Sequence, residues 1–354
     1  MQNKPRDLIY CGVNVEKIRS AKPIIDYKNF AHLLEFITER YKIHLKKDVK
    51  KEEAPWTSNP ILKEFKFTNV RREHDRQSRY LIESISHNPE LSLREKMLNT
   101  MLFRAWNNYD TFHDLGGAWT EAEITSPDLK EKVRPLYHKL DKADPNRLWW
   151  SSAYIQAGCK MAWKSPSLNL RDGEFMDTSN MYGDAELDIP LRVFHIGVWA
   201  KELELVDKIL LAHNQKEVYT LLRSMRGFAD FLAYQVFVDF TYIDDFPFSE
   251  NEFTVAGPGC RKGLNYLFTD RERLSYEEAI FWVRDNFDIL VKKARAKGVT
   301  KLKWEPHILF ADLPKEDRHL NVMSLENCFC ELSKYIRAVE GTGRPRNKYR
   351  GGKS

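Results

Sequence analysis

Apolar residues recur along this chain at helical spacing. Between Tyr27 and Leu45 they fall at Phe30, Leu33, Leu34, Ile37 and Tyr41, the i, i+3, i+4, i+7 stripe of a helix with one buried face. Lys201 to His213 repeats the stripe at Leu203, Val206, Ile209 and Leu210. From Ser275 to Val291 the stripe is Ile280, Val283, Phe287 and Leu290. Ser275 and Glu278 have the spacing of a capping box, in which hydroxyl and carboxylate each satisfy an amide of the first turn. Leu221 to Phe240 is apolar enough for one buried helix. Strand-like alternation is scarce, and only Phe65 to Val70 reads as a short extended piece. The pattern predicts a mostly α protein. Turn signals stand at Asn59-Pro60, Asp144-Pro145, Ser165-Pro166, Gly257-Pro258-Gly259 and Gly341 to Pro345. Lys46 to Asn59 reads as a linker. The expected division is a helical extension with linker over 1–55, a helical catalytic domain over 56–340 and a basic tail over 341–354.

Composition narrows the class. At 354 residues with 42% hydrophobic side chains the chain is long enough for a sizeable core and is not wholly disordered. The longest apolar stretch, Phe228 to Ile243, is interrupted by Asp230, Gln235 and Asp239, so no membrane span is expected. The opening MQNKPRD has no apolar signal core, and five scattered cysteines suit a reducing compartment, so a cytoplasmic location is expected. The formal charge is +5 and unevenly spread. Lys334 to Ser354 holds seven basic residues against Glu340, Arg40 to Lys51 holds six against Asp48, and Lys292 to Lys303 holds six with no acid. Clustered cations suit a polyanion such as nucleic acid, although each run alone is also what a solvated surface looks like.

Three segments combine residues able to do chemistry. In Phe65-Lys66-Phe67-Thr68-Asn69-Val70-Arg71-Arg72-Glu73-His74-Asp75-Arg76 an apolar lead-in meets a dense alternation of guanidinium and carboxylate. Such Arg forks bind phosphate bidentately, and Glu73 or Asp75 would orient them or accept a proton; surface ion pairs at a helix start are the alternative. In Val255 to Leu264, the Gly257-Pro258-Gly259 turn precedes Arg261 and Lys262, with a buried helix expected before it. That is the layout of a helix-hairpin-helix, in which glycine lets backbone approach a phosphate and the next helix's first amides bind the anion; an ordinary helix–helix turn is the alternative. In Ser324 to Arg337, helical spacing puts Glu326, Cys330 and Lys334 on one face, and Asn327, Glu331 and Tyr335 on another. Lys334 near Cys330 would favour a thiolate, and a small packing cysteine beside a structural ion pair is the alternative. Smaller clusters are Arg104, Trp106, Asn107 and Asn108, and the pair Trp149-Trp150 near Trp163, each able to stack on a base or pack a core. Cys328 and Cys330 have no C-x-x-C mate, so no metal ligands are assigned, and no G-x-x-x-x-G-K-[ST] stretch is present for a P-loop.

Taken together and in this order, FKFTNVRREHDRQSRYL, GFADFLAYQVFVDF leading to VAGPGCRKGL, and LENCFCELSKYIR followed by GTGRPRNKY resemble the alpha-glutamyl/putrescinyl thymine pyrophosphorylase family. Its members include proteins termed amino acid:DNA transferases, and the helical domain found with 5-hydroxymethyluracil DNA kinases is a close relative. The resemblance runs from about Trp56 to Tyr349. It implies a helix-hairpin-helix, DNA-glycosylase-like helical fold and a role in phage DNA: a separate kinase activates 5-hydroxymethyluracil as a phosphate or pyrophosphate ester, and the family member replaces that group with an amino acid or amine. The setting it implies is the cytoplasm of a phage-infected bacterium. Leu332-Ser333 stands where the family pattern has Phe-Asp, which shifts weight from a carboxylate at 333 to Glu326 and Glu331.

The resemblance distributes roles as follows. Arg71, Arg72 and Arg76 are candidates to hold the pyrophosphate, with Asn69, Arg104, Asn107 and Asn327 as further substrate contacts. Glu73, Asp75 and Glu326 are candidate general bases for the incoming ammonium, with Cys330 and Lys334 completing the catalytic set. Gly257, Gly259, Arg261, Lys262, Arg344 and Arg346 would contact double-stranded DNA, whose target base flips out. No particular cofactor is assigned; a divalent metal assisting the pyrophosphate is compatible with Asp239, Asp244 and Asp245. Competing expectations are a glycosylase-like base-excising enzyme and a non-catalytic DNA-binding partner of the kinase.

Overall fold

The computed structural model describes residues 10–151, 167–169, 175–177, 189–225, 227–343, 345 and 348. Arg344, Arg346 and Trp163 of the expectations above lie outside them. The chain forms two compact units, Met1–Asp75 with Ser249–Ser354, and Arg76–Phe248. This grouping differs from the division at 55 and 340, because the helix in the supposed extension belongs to the core that the C-terminal helices build.

Among the described residues eight helices reach ten residues: α1 Tyr27–His44, α2 Leu93–Trp106, α3 Leu129–Ala143, α4 Gln215–Ser224, α5 Asp230–Phe240, α6 Pro258–Leu267, α7 Tyr276–Ala296 and α8 Val322–Val339. The mostly α expectation is thus met, and two caps explain why the helices start where they do. Asp26 accepts the amides of Lys28 and Asn29 ahead of α1, and Ser275 with Glu278 forms the expected capping box ahead of α7.

Two expected helices are broken. Lys201 to His213 is split between His195–Glu202 and Leu205–Leu210, with Glu204 left-handed at the junction. Leu221 to Phe240 is split between α4 and α5, where Met225 is extended and Gly227 has a φ of 77°. Apolar content alone made that run look continuous; the glycine interrupts it. α5 ends at Phe240 and α6 begins at Pro258, so the Gly-Pro-Gly turn opens α6 with no helix directly before it. The short hairpin expected there is not formed.

The unit containing both chain ends is built around α8, which packs along α6 and α1. Phe30, Leu33, Leu34, Phe36 and Ile37 of α1 are fully buried against Phe281 and Val283 of α7 and Leu325, Phe329 and Leu332 of α8. Phe36 meets Phe67 and Tyr335 at ring-centroid distances of 5.6 and 5.7 Å. Strand β1 (Ile24–Ile25) pairs antiparallel with a strand after α6, Phe268–Asp270. The unit Arg76–Phe248 is centred on α2, all of whose residues from Lys96 to Trp106 are buried. Trp106 packs edge-on against Phe112 and Phe194 and donates its indole N–H to the Pro190 carbonyl at 2.9 Å. A second antiparallel pair, Ser167–Asn169 with Phe175–Asp177, completes the strands among the described residues.

Candidate functional site

α8 sets the position of the polar residues that matter most. Its N-cap, Asn321, accepts the Ser324 amide and donates to Glu250, and the Val322 amide donates to Asn251 Oδ1 at 3.1 Å. These bonds fix where the helix starts, and so place Glu326 one turn in, against the opening of α6. Gly257 is the extended N-cap of α6 and Pro258 follows at the first helical position, the residue whose missing N–H costs nothing there. The Gly257 amide donates to Glu326 Oε1 at 3.4 Å. Glu326 is buried, and burial pushes its carboxyl up to about 7 against only that weak donor and the charge of Arg72.

The close approach of α6 to α8 depends on two glycines. A Cβ on Gly259 would overlap Cys330 Sγ, and one on Gly263 would overlap the Phe329 carbonyl. Gly263 carried no expected role, although its four-residue spacing from Gly259 puts both on one helix face. Gly259, expected to admit a DNA phosphate, is filled instead by the Cys330 side chain. Cys330 itself is not the thiolate that a neighbouring lysine would produce. Burial, with Glu326 and Glu331 nearby, pushes its thiol up to about 12, while Lys334 pairs with Glu331 at 2.7 Å.

The segment Thr68–His74 is stitched to the same helices. Asn327 Nδ2 donates to the Asn69 carbonyl, and Thr68 donates to Asn327 Oδ1 at 3.3 Å. Asn69 Oδ1 accepts from Arg40 of α1 at 2.6 Å, and its amide donates to the His74 carbonyl at 2.9 Å. Arg40 is a buried anchor that sequence reading assigned to a surface basic run; its place three residues after Ile37 and seven after Leu33, on the buried stripe, is the signal that marks it as internal. The short turn Arg72–His74 packs on α8. Arg71 is buried, donating to Glu73 Oε1 at 2.5 Å and to the carbonyls of Asp317 and His319 at 3.3 and 3.0 Å. Its fork therefore braces the fold, which corrects its assignment to the pyrophosphate, and Glu73 holds that fork in place, the alternative to its role as a general base. Arg72 is half-buried and near enough to Glu326 to lower its carboxyl, and Asp75 is exposed.

Asn69, Arg72, Asn327, Glu326, Gly257 and Cys330 thus converge in one unit. Arg261 and Lys262 are exposed on the first turns of α6, with Arg261 Nε donating to the Ala256 carbonyl at 2.8 Å. Arg76, Arg104 and Asn107 belong to the other unit. Arg76 is exposed and lies over the Tyr109 ring, 4.4 Å from its centroid. Arg104 is buried, forked onto Asp239 at 2.8 Å through Nη2 and onto Asn107 through Nη1. Both Arg104 and Asn107 are thus core residues, and Asp239 is their counter-ion, which removes it from the metal expectation. Asp244 faces His87 at 3.5 Å on the surface. Trp149 is buried, 4.7 Å from the ring of Tyr137, in a packing role.

No helix of the described residues is long and apolar enough to cross a membrane. No solved structure matches the chain. A 5-hmdU DNA kinase of Bacillus phage SP10 is 24% identical over 309 residues, covering 85% of this chain and 44% of that protein. The chain therefore spans less than half the length of that relative. A family model described as the helical domain of 5-hmdU DNA kinase matches residues 27–344, a span that includes α1, the Thr68–His74 segment, the α6 turn and α8. On that match, the chain belongs to the family of 5-hmdU DNA kinase helical domains.

Proposed function

We propose that this chain acts in thymine hypermodification of phage DNA, replacing the phosphate or pyrophosphate of activated 5-hydroxymethyluracil with an amino acid or amine. The observation that carries the reading is Glu326: a buried carboxyl held at about 7, with a weak backbone donor at 3.4 Å and the charge of Arg72 nearby, at the mouth of a helix N-terminus. A carboxylate balanced between its two protonation states at neutral pH takes a proton from an ammonium nucleophile and can release it again. The first turn of α6 and the guanidinium of Arg72 offer positive potential beside it, where a departing pyrophosphate would build charge. Arg261 and Lys262 supply exposed cations for the DNA backbone. The target base would have to leave the duplex stack to reach a carboxyl this deeply placed. Resemblance to the pyrophosphorylase branch, with its glycosylase-like fold, favours transfer over phosphorylation.

The test supplies duplex DNA bearing pyrophosphorylated 5-hydroxymethyluracil and a panel of amino acids and polyamines, then weighs the released nucleosides. The expected result is a base heavier by the nucleophile, with pyrophosphate released. Glu326→Gln should slow turnover about 10²- to 10⁴-fold, the usual contribution of a positioned base. No adduct across the panel would reject the reading. The match to a kinase's helical domain favours a second possibility, a non-catalytic DNA-binding module. In that case the chain alone binds modified DNA without turnover and stimulates an added kinase.

A further inference from the structure

A separate cluster lies where α1, the Arg72–His74 turn and the loop after Pro306–Leu309 meet. We infer that His44, His74 and Asp312 form a three-ligand site for a divalent metal of the zinc class. One ligand atom from each lies within 4.8 Å of the others. His44 is buried, His74 half-buried and Asp312 at the surface end, so the group is walled on one side and open to solvent on the other.

The hydrogen bonds around the three residues are those a metal needs. Asp48 Oδ2 lies 3.1 Å from His44 Nδ1. With Asp48 ionised, that nitrogen carries the hydrogen and Nε2 presents its lone pair. Nε2 in turn lies 3.6 Å from Asp312 Oδ2. The other oxygen of Asp312 is occupied by the Tyr41 hydroxyl, which donates at 2.9 Å. In that tautomer a lone pair faces a carboxylate oxygen, an arrangement that a metal cation between them would relieve, as would a proton on Nε2 or a bridging water. Carboxylate on the far nitrogen of a ligating histidine, and a donor on the far oxygen of a ligating carboxylate, are the usual outer supports of a metal site.

His74 supplies the third donor. Its ring now stacks on that of His44, with centroids 3.8 Å apart and planes 13° from parallel, so one ring must turn out of the stack before both in-plane lone pairs can meet a single ion. Its Nδ1 is buried with no hydrogen-bond partner, a vacancy that a buried ring nitrogen seldom keeps. Tyr41 and Phe310 form an apolar wall, 4.6 Å between ring centroids, with Tyr41 also 5.5 Å from His74. Two imidazoles and one carboxylate are a donor set that suits zinc, and three protein ligands leave a fourth position for water or substrate. Bonds of about 2.0–2.1 Å would draw the donor atoms inward from their present spacing. Because the three residues sit on three distant stretches of sequence, a bound ion would also fix the turn that carries Arg72. The inference does not depend on the transfer reaction proposed above.

The experiment uses the full chain, stripped with chelator and dialysed. Zn²⁺ uptake is measured by calorimetry and elemental analysis, and Co²⁺ uptake by visible absorption. The expected result is one equivalent per chain and a Co²⁺ spectrum of nitrogen and oxygen ligands without a thiolate charge-transfer band. His74→Ala and Asp312→Asn should each weaken binding more than tenfold, and Asp48→Asn about 10- to 100-fold. Absence of uptake by the wild-type chain would overturn the site and leave a protonated His44 bridging Asp48 and Asp312. Uptake unchanged in all three variants, or a thiolate band, would equally overturn it by placing the ion on other residues. The wild-type spectrum decides between ligand types even if a variant fails to fold.

Discussion

Asp239 in one unit and Glu326 in the other are both buried carboxyls on helices, but they are satisfied in opposite ways. Asp239 receives both arms of the Arg104 fork, and Arg104 is further engaged by Asn107 and Ser78. Its charge is matched in place, and nothing is left over to exchange a proton or meet a ligand. Glu326 has a long bond from one amide and the charge of Arg72 to lower it. Burial then dominates, and the carboxyl is held near about 7. The lesson is that a buried charge with a complete set of partners is architecture, while one left short of partners is poised for chemistry. Sequence alone ranked Arg104 and Glu326 side by side as site residues; the partners separate them.

The contrast can be tested where it is largest. Arg104→Ala leaves Asp239 buried and unpaired, and should lower unfolding free energy by about 3–5 kcal/mol in urea titrations. Replacing Arg104 and Asp239 together with Met and Leu should recover most of that loss. If the single variant is near neutral, the pair is not the structural element described here.

Glu326 should show itself through pH. Its folded-state pKa of about 7 lies above the ordinary 4.5. The native state therefore holds the proton more tightly than the unfolded chain. The stability due to this group is fully present below about 4.5 and is lost as pH rises through about 7. At pH 8 the difference amounts to on the order of 3 kcal/mol. Glu326→Gln should flatten this part of the stability profile and make the chain the more stable of the two in alkali. Parallel profiles for the two proteins would show that Glu326 is ionised like any surface carboxylate.

Smaller effects concern the helix crossing beside Glu326. Gly263→Ala meets a backbone carbonyl, which cannot rotate away, and should destabilise by about 1–3 kcal/mol. Gly259→Ala meets only the Cys330 thiol, so pairing it with Cys330→Ala should restore stability, which the same rescue cannot do for Gly263. Comparable in size is Lys334→Ala. The ammonium is half-exposed but the Glu331 carboxylate it serves is buried, so its loss should cost about 1–3 kcal/mol. Alkylation of native Cys330 at pH 8 should stay slow with or without Lys334, because the thiol is held up at about 12 chiefly by burial.

What the sequence by itself determined was local. The stripe at Phe30, Leu33, Leu34 and Ile37 and the Ser275–Glu278 cap depend on residues within a turn or two of each other, and both are found as read. The family resemblance likewise drew attention to α8 and the Thr68–His74 segment, which are in contact. Helix continuity was less secure: Gly227 and the left-handed Glu204 end helices whose apolar spacing runs on. Roles for charged residues were decided only by tertiary structure. Arg71, Arg72 and Arg76 are neighbours in sequence, yet one is buried bracing carbonyls, one sits near Glu326, and one lies over a tyrosine in the other unit. His44, His74 and Asp312 are separated by 30 and 238 positions and share no motif. A side chain's charge state, accessibility and partners follow from the dielectric and the donors that folding brings to it, and those come from parts of the chain that a local pattern does not contain.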